Sequence, residues 1–254
     1  MKKATFLTYE KPLLTCMVQA DNPERIEELI KKALPEGAEA FGMQICRLLP
    51  TYRNPETYRR LFLAAKGLPV YVTNYRYCEN EKKSDDVLAD ELCELAKCGA
   101  TLCDMMGDYF DRVGIEGVEF TTDPVSVERQ MRLVDRLHAN GAEVLMSSHI
   151  LKFTPAVRVL EIALAHQSRG ADISKIVVGA ENAAQQIENL RIINLLKENL
   201  KIPFLFLSGG ECRILRRIGG ALGNCMTLCV YEHDALSTPA QPLLSDVRTI
   251  RELL

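Results

Sequence analysis

One lysine in this chain lies inside an apolar segment, where a charged side chain is unusual. Lys175 stands within Ile173-Ser-Lys-Ile-Val-Val178 and has apolar residues on both sides. An ammonium group there loses solvation, which favours the neutral amine, and a neutral amine can attack a carbonyl carbon to form an imine. The structural alternative is a lysine that reaches water from a strand end or pairs with a carboxylate. The segment alone leaves both interpretations open.

A histidine and an aspartate end two other apolar segments. His149 follows the run Val144 to Ser148, and Asp104 closes the run 101–104. An imidazole at a strand end could move protons, and a carboxylate on the adjacent strand could orient it. The alternatives are a structural histidine and an aspartate that caps a turn. Because the lysine and the histidine end neighbouring predicted strands, each supports a catalytic role for the other.

The elements that position these residues follow a regular pattern. Short apolar segments alternate with longer amphipathic ones, which is typical of repeated βα units around a parallel sheet. Eight strands close a barrel, and the 254-residue length is typical of a (β/α)₈ TIM barrel. We therefore expect an α/β fold with one barrel domain over residues 1–254. The predicted strands are 12–18, 40–46, 69–75, 101–106, 143–149, 173–179, 203–208 and 225–231.

The segment 109–122 fits no simple βα unit and is interpreted as an insertion after the fourth strand.

Composition excludes several classes of protein. The chain is 47% hydrophobic and 26% charged, which is typical of a globular domain, and no apolar run approaches the ~20 residues of a membrane span. No apolar leader follows the first residues, so we expect a cytoplasmic protein. The nine cysteines form no CxxC pair and are interpreted as buried free thiols rather than metal ligands. The net charge of −3 is spread along the chain, which favours a small-molecule substrate over nucleic acid.

Candidate anion-binding groups follow the seventh and eighth predicted strands. Ser208-Gly-Gly-Glu211 precedes Arg216 and Arg217, and barrels often bind phosphate or carboxylate in these loops. Surface arginines are the alternative. The polar stretch 236–242 could close over the mouth of the barrel as a lid.

Together these motifs resemble those of type I 3-dehydroquinate dehydratases. The resemblance rests on Val144-Leu-Met-Ser-Ser-His149 and Gly170-Ala-Asp-Ile-Ser-Lys175, and it extends through 208–217 to Ser237-Thr-Pro-Ala-Gln241. An ordered set of motifs is more specific than any one of them.

The resemblance implies a reaction. Lys175 would form a Schiff base with the C3 ketone of 3-dehydroquinate. His149 would remove a C2 proton and return it to the departing C1 hydroxyl, which gives 3-dehydroshikimate. Asp104 would hold the imidazole. No metal and no organic cofactor would be needed, and the enzyme would be a homodimer of the shikimate pathway, which leads to aromatic amino acids.

The resemblance also implies substrate-binding residues. Arg217 would bind the substrate carboxylate, and Ser237 and Gln241 would close over the substrate. The arginine that family members carry on strand three falls near Arg76, or at Tyr75 if the alignment shifts by one residue.

The first half of the chain departs from the family pattern. Family members carry a Glu-x-Arg on strand two that binds substrate hydroxyls, but Gly42 and Gln44 align with it here, and the Glu-Gly-Gly loop is replaced within 77–84. Loss of such partners can change discrimination by roughly 10⁴. Two alternatives therefore remain: a Schiff-base lyase or aldolase that acts on another keto acid, and a catalytically silent barrel with a binding role.

Overall fold

The protein forms a barrel of eight parallel strands, each followed by a helix. The computed structural model describes residues 4–7, 11–112 and 117–254. The sheet has the order β7-β6-β5-β4-β3-β2-β1-β8, which confirms the predicted (β/α)₈ TIM barrel. The strands are β1 Leu13–Val18, β2 Ala40–Gln44, β3 Val70–Thr73, β4 Leu102–Met106, β5 Glu143–His149, β6 Ile173–Val178, β7 Phe204–Ser208 and β8 Met226–Cys229. The helices are α1 Pro23–Ala33, α2 Pro55–Ala64, α3 Asp85–Cys98, α4 Pro124–Ala139, α5 Ala156–Ser168, α6 Ala183–Asn199, α7 Leu215–Leu222 and α8 Leu244–Leu253.

Side-chain caps fix where several helices begin. Asn22, Asn54 and Asp123 are extended and each accepts a hydrogen bond from the backbone N–H three residues later, and a proline follows each of them. The cap satisfies an N–H that would otherwise lack a partner, and the proline has the φ that the first turn requires. None of the helices in the described ranges combines the length and apolar character needed to span a bilayer.

The barrel is apolar at the amino ends of its strands. Leu102, Leu145 and Ile173 belong to one buried cluster inside the barrel, and Phe6 from the N-terminal segment packs into the same cluster. The Phe6 ring lies edge-on to the Tyr71 ring, with 6.5 Å between centroids. Apolar packing therefore fills this end of the barrel in the part of the chain that the structure describes.

An asparagine side chain joins the two edge strands of the sheet. The amide of Asn224 accepts from the Phe206 N–H at 2.8 Å and donates to the Phe206 carbonyl at 3.0 Å. A Cβ at Gly219 would lie 2.5 Å from Asn224 Nδ2. The glycine therefore gives the amide the space to pair with β7, where it takes the place of a backbone partner.

The segment after β4 is held against the end of β5. Residues 113–116 of the predicted insertion 109–122 lie outside the described residues. In the remainder, the carbonyl of Glu119 accepts from Ser148 Oγ at 2.6 Å, and the Thr121 N–H donates to the carbonyl of Gly107 at 3.1 Å. These contacts place the Glu119 side chain beside the strand that ends in His149.

A fully buried histidine links α5 to two strands. His166 Nε2 lies 3.1 Å from Ser148 Oγ, and Nδ1 lies 3.0 Å from Ser174 Oγ. Burial, with a smaller contribution from the nearby Arg169 guanidinium, lowers the pKa of His166 to about 3. The imidazole is therefore neutral in the folded protein near pH 7.

This buried imidazole should make stability depend on pH. The unfolded chain binds a proton at the ordinary histidine pKa of 6.5, whereas the folded protein binds it only near pH 3, so acid favours unfolding within that window. As the pH drops from 6.5 to 4, we expect the free energy of unfolding to fall more steeply in the wild-type protein than in His166→Gln, whose side chain does not titrate. The two slopes should differ by up to about 1.4 kcal/mol per pH unit. Urea denaturation at several pH values measures this difference, and parallel curves for the two proteins would contradict it.

Candidate active site

A cavity of about 450 Å³ opens at the carboxyl ends of the strands. It is large enough for a small metabolite. Side chains of several strands face it, among them Gln44 of β2, Thr73 of β3, His149 of β5 and Lys175 of β6. The two residues that the sequence singled out for chemistry therefore line the same cavity.

Lys175 is buried in the middle of β6. Its residue exposure is 4%, and it pairs in register with Ser147 of β5. Within the described residues, Nζ lies 3.0 Å from Asp104 Oδ2, 2.5 Å from the Tyr75 hydroxyl and 3.1 Å from the Tyr71 hydroxyl. The carboxylate offsets the cost of burying the ammonium group. The structure thus combines the two interpretations: Lys175 pairs with a carboxylate and also faces a cavity.

The carboxylate of Asp104 pairs with the lysine and does not contact the histidine directly. Oδ2 contacts Lys175 and accepts from the Tyr71 hydroxyl, while Oδ1 accepts from Ser147 Oγ at 2.6 Å. Burial alone would raise the pKa of this carboxyl, but Lys175, His149 and these hydrogen bonds outweigh burial and hold the pKa below its ordinary value. The expectation that Asp104 orients His149 is corrected here, because hydrogen bonds join Asp104 to the amine instead.

Glu119 is the carboxylate that contacts the histidine. His149 Nδ1 lies 3.0 Å from Glu119 Oε1, and Nε2 has no hydrogen-bond partner among the described residues. The Tyr75 ring lies edge-on to the imidazole, with 5.2 Å between centroids. One ring nitrogen is therefore fixed by a carboxylate and the other remains available to a ligand. Sequence analysis missed Glu119, because its segment shows no strand and no motif.

An arginine in α7 lines the cavity, but it is Arg216 and not the predicted Arg217. Arg217 is exposed on the helix, whereas Arg216 faces the cavity and donates from Nε to the carbonyl of Ser208 at 3.2 Å. Burial lowers the pKa of Arg216, and no carboxylate pairs with it in the part of the chain that the structure describes. Arg216 is therefore the cation that can bind an anionic ligand.

The loop after β8 covers one side of the cavity. Gln241 and Thr238 line the cavity, and Thr238 Oγ1 accepts from Gln19 Nε2 at 3.0 Å. Ser237 is directed elsewhere: its hydroxyl accepts from the Asp234 N–H at 2.9 Å and donates to the Asp234 carbonyl. Gln241 and Thr238 therefore line the cavity, whereas Ser237 does not.

Arg76 reaches the rim of the cavity but is already paired. Its guanidinium contacts Asp85 at 2.8 Å and Asp108 at 2.7 Å. Tyr75 lines the cavity beside Lys175. Of the two residues that could correspond to the family arginine, Tyr75 is the one that contacts the Lys175 amine.

The chain is similar to proteins of known family. The family model described as type I 3-dehydroquinase matches residues 16–254. The chain belongs to the type I 3-dehydroquinase family.

Its curated relatives include 3-dehydroquinate dehydratases of two bacteria. The protein of Listeria monocytogenes serotype 4a is 26% identical over 145 residues, which are 56% of this chain and 56% of that protein. The protein of Alkaliphilus oremlandii is 31% identical over 125 residues, which are 48% of each chain. In these alignments the chain spans about half the length of the curated relatives it matches. The crystal structure of the Clostridium difficile type I 3-dehydroquinate dehydratase is similar in fold, with a TM-score of 0.79, 17% identity and coverage of 97% of this chain and 94% of that one.

The wall formed by β1, β2 and β3 explains how this type I 3-dehydroquinase family member accommodates Gly42. A Cβ at Gly42 would lie 2.0 Å from Met17 Sδ and 3.2 Å from Tyr71 Cδ1. The space beside Gly42 is thus filled by the Met17 thioether. Gln44 of β2 and Thr73 of β3 are paired in register, and both line the cavity. Their side-chain oxygens, Gln44 Oε1 and Thr73 Oγ1, are buried and have no hydrogen-bond partner among the described residues.

Residues 4–7, 11–112 and 117–254 contain no group of three or more histidine, cysteine, aspartate or glutamate side chains that could hold a metal ion.

The contact between Gly42 and Met17 makes a prediction for stability. We expect Gly42→Ala to lower the free energy of unfolding by about 1–2 kcal/mol, because the thioether must move to admit the new methyl group. In a Met17→Ala background the space is free, so Gly42→Ala should lower the free energy of unfolding by about 1 kcal/mol less than it does in the wild-type background. Urea denaturation of the four proteins measures this coupling, and equal costs in both backgrounds would show that Met17 does not fill the space.

Proposed function

We propose that this protein is a Schiff-base-forming 3-dehydroquinate dehydratase, a hydro-lyase that converts 3-dehydroquinate to 3-dehydroshikimate. One observation carries the proposal: in a chain of this family, the buried amine of Lys175 faces the same cavity as the imidazole of His149 on the adjacent strand. A catalytically silent barrel would gain nothing from a lysine whose burial must be offset by a carboxylate. Family membership favours the dehydratase over a lyase or aldolase for another keto acid.

Lys175 would act as the nucleophile. Attack of Nζ on the C3 ketone gives an imine, and the protonated imine withdraws electrons from C2, so the C2 proton becomes more acidic. Asp104 contacts the same nitrogen and would hold it in place while the ketone enters from the cavity. The apolar neighbours of Lys175 on β6 keep water away from the nitrogen.

His149 would move the proton. The contact of Nδ1 with Glu119 fixes the ring, and Nε2 would take the C2 proton and then deliver it to the C1 hydroxyl as that group leaves as water. A carboxylate behind the imidazole also stabilises the imidazolium that forms between these two steps.

The substrate would lie between a cation and neutral polar groups. Arg216 would bind the carboxylate, because it is the cavity-lining arginine that has no acidic partner among the described residues. Gln44, Thr73 and Gln241 each present a buried side-chain oxygen without a hydrogen-bond partner. These oxygens would accept hydrogen bonds from the substrate hydroxyls in place of the Glu-x-Arg of other family members.

The cellular setting follows the family. We infer a single-domain enzyme that acts as a homodimer in the cytoplasm, in the shikimate pathway that supplies aromatic amino acids. All nine cysteines fall in described residues and are free, which suits a reducing compartment. Light scattering on purified protein tests the dimer, because a mass of one 28.5 kDa chain would contradict it.

Trapping the imine tests the central step. Borohydride added with 3-dehydroquinate should leave a covalent adduct on Lys175, seen by peptide mass spectrometry, and untreated enzyme should form 3-dehydroshikimate. Lys175→Ala should form neither and lose at least about 10³-fold in kcat, because no other described amine contacts Asp104. The exposed Lys201→Ala serves as the matched control and should keep full activity. Full turnover by Lys175→Ala would refute the proposal.

The role of Glu119 gives a separate prediction. Glu119→Gln keeps the size of the side chain but removes the charge behind His149, so kcat should fall by about 10²-fold while KM stays nearly constant. Imine trapping on Lys175 should still succeed in this variant, because the amine has other partners. Glu198→Gln on the exposed face of α6 is the control. An unchanged kcat in Glu119→Gln would show that His149 needs no carboxylate. His149→Ala should lose turnover, whereas His138→Ala, which removes an exposed imidazole that contacts Asp172, should not.

A further inference from the structure

A tyrosine hydroxyl lies between the reactive amine and its carboxylate. The Tyr75 hydroxyl accepts a hydrogen bond from Lys175 Nζ at 2.5 Å and donates one to Asp104 Oδ2 at 2.5 Å. Tyr71 makes the same two kinds of contact and also lines the cavity, but its side chain is fully buried, whereas Tyr75 is partly exposed to the cavity. Tyr75 is therefore the hydroxyl that a ketone bound at Nζ could contact.

The surrounding side chains fix the Tyr75 ring. It stacks on Tyr77 with 5.9 Å between centroids and an interplanar angle of 18°, and it lies edge-on to His149 at 86°. Arg76, the next residue, is turned toward Asp85 and Asp108. The chain after β3 thus directs Tyr75 to the amine and the arginine away from it.

Imine formation requires two proton transfers at this nitrogen. The reaction begins with an ammonium group and a ketone and ends with a protonated imine and water. As the C–N bond forms, the C=O π pair moves to oxygen; later the C–O bond breaks and its electron pair leaves with water. Of the three ammonium protons, one stays on the imine nitrogen and two pass from nitrogen to the departing oxygen, so a nearby group must both accept and donate protons.

The hydrogen-bond pattern identifies the group that can do both. Asp104 is held ionised, since its pKa lies below its ordinary value, so it accepts hydrogen bonds but has no proton to give. Burial and the Asp104 carboxylate raise the pKa of Tyr75 well above its ordinary value, so its hydroxyl keeps its proton. When its proton turns from Asp104 to the ketone oxygen, this hydroxyl can donate to that oxygen and accept a proton from Nζ in the same step.

We propose that Tyr75 is a catalytic residue that carries protons between Lys175 Nζ and the substrate oxygen during imine formation and imine hydrolysis. The proposal rests on the proposed function above, because it assigns a residue to the imine step of that reaction. It concerns the making and breaking of the imine, and His149 retains the proton transfer at C2.

Tyr75→Phe tests the proposal, because it removes the hydroxyl and retains the ring that stacks on Tyr77. Rapid mixing with 3-dehydroquinate, followed by a borohydride quench at increasing times, gives the rate and the final extent of adduct formation on Lys175. We expect the rate to fall by about 10²-fold and the final extent to match that of the wild-type enzyme. Tyr52→Phe, a partly buried tyrosine outside the cavity, is the matched control and should leave the rate unchanged.

The outcomes separate this proposal from the proposed function. If the wild-type enzyme forms no adduct with 3-dehydroquinate, both fail. If it forms one and Tyr75→Phe forms it at the same rate, only the role of Tyr75 fails. A reduced final extent would also overturn that role, because it would mean that the hydroxyl only holds the amine in position.

A measurement on the wild-type enzyme covers the case in which the variant does not fold. Adduct formation should be slower in D₂O than in H₂O, because protons move in the step, and equal rates would contradict the proposal.

Discussion

The structure depends on one buried ion pair, between Lys175 of β6 and Asp104 of β4. An ammonium group and a carboxylate at this depth each lose several kcal/mol of solvation, which only close pairing and further hydrogen bonds recover. Ser147 and the hydroxyls of Tyr71 and Tyr75 supply those hydrogen bonds. Four strands, β3 to β6, and the loop after β3 therefore contribute to this one ion pair, and their polar side chains occupy positions that are otherwise apolar in a barrel.

The Lys175 side chain of this pair faces the cavity at the open end of the barrel. Apolar side chains and Phe6 pack the amino ends of the strands, so water has no route to Lys175 from that side. At the other end, the loop after β8 brings Gln241 and Thr238 over the cavity, and the segment after β4 brings Glu119 to His149. The strands hold the Lys175 amine, while the loops bring Gln241, Thr238 and Glu119 to the cavity, which is the usual division of labour in this fold.

The sequence predicted the strands and the residues on them better than the loops. Lys175 and His149 could be found because a polar residue in an apolar strand is conspicuous, and the strand order follows from the repeated βα pattern. Glu119 could not, because its position depends on how an irregular segment packs on β5. Arg216 and Arg217 are adjacent in α7 and point in different directions, so the orientation of the helix decides which of them faces the barrel. A helix of eight residues has too few turns for its sequence pattern to show that orientation. These misses share a cause: tertiary contacts set the direction of the side chain.

The changes on strand two are best understood together. In the family pattern, a glutamate and an arginine stand two residues apart on this strand and so share one face of it. Loss of the glutamate alone would leave an arginine without its acidic neighbour in a cavity that already holds the cationic Arg216 and the paired Lys175. With Gly42 and Gln44 both neutral, no such excess charge arises, and Met17 fills the space beside Gly42. Neither position therefore adds a charge to the cavity in this chain, and the wall remains polar through Gln44 and Thr73.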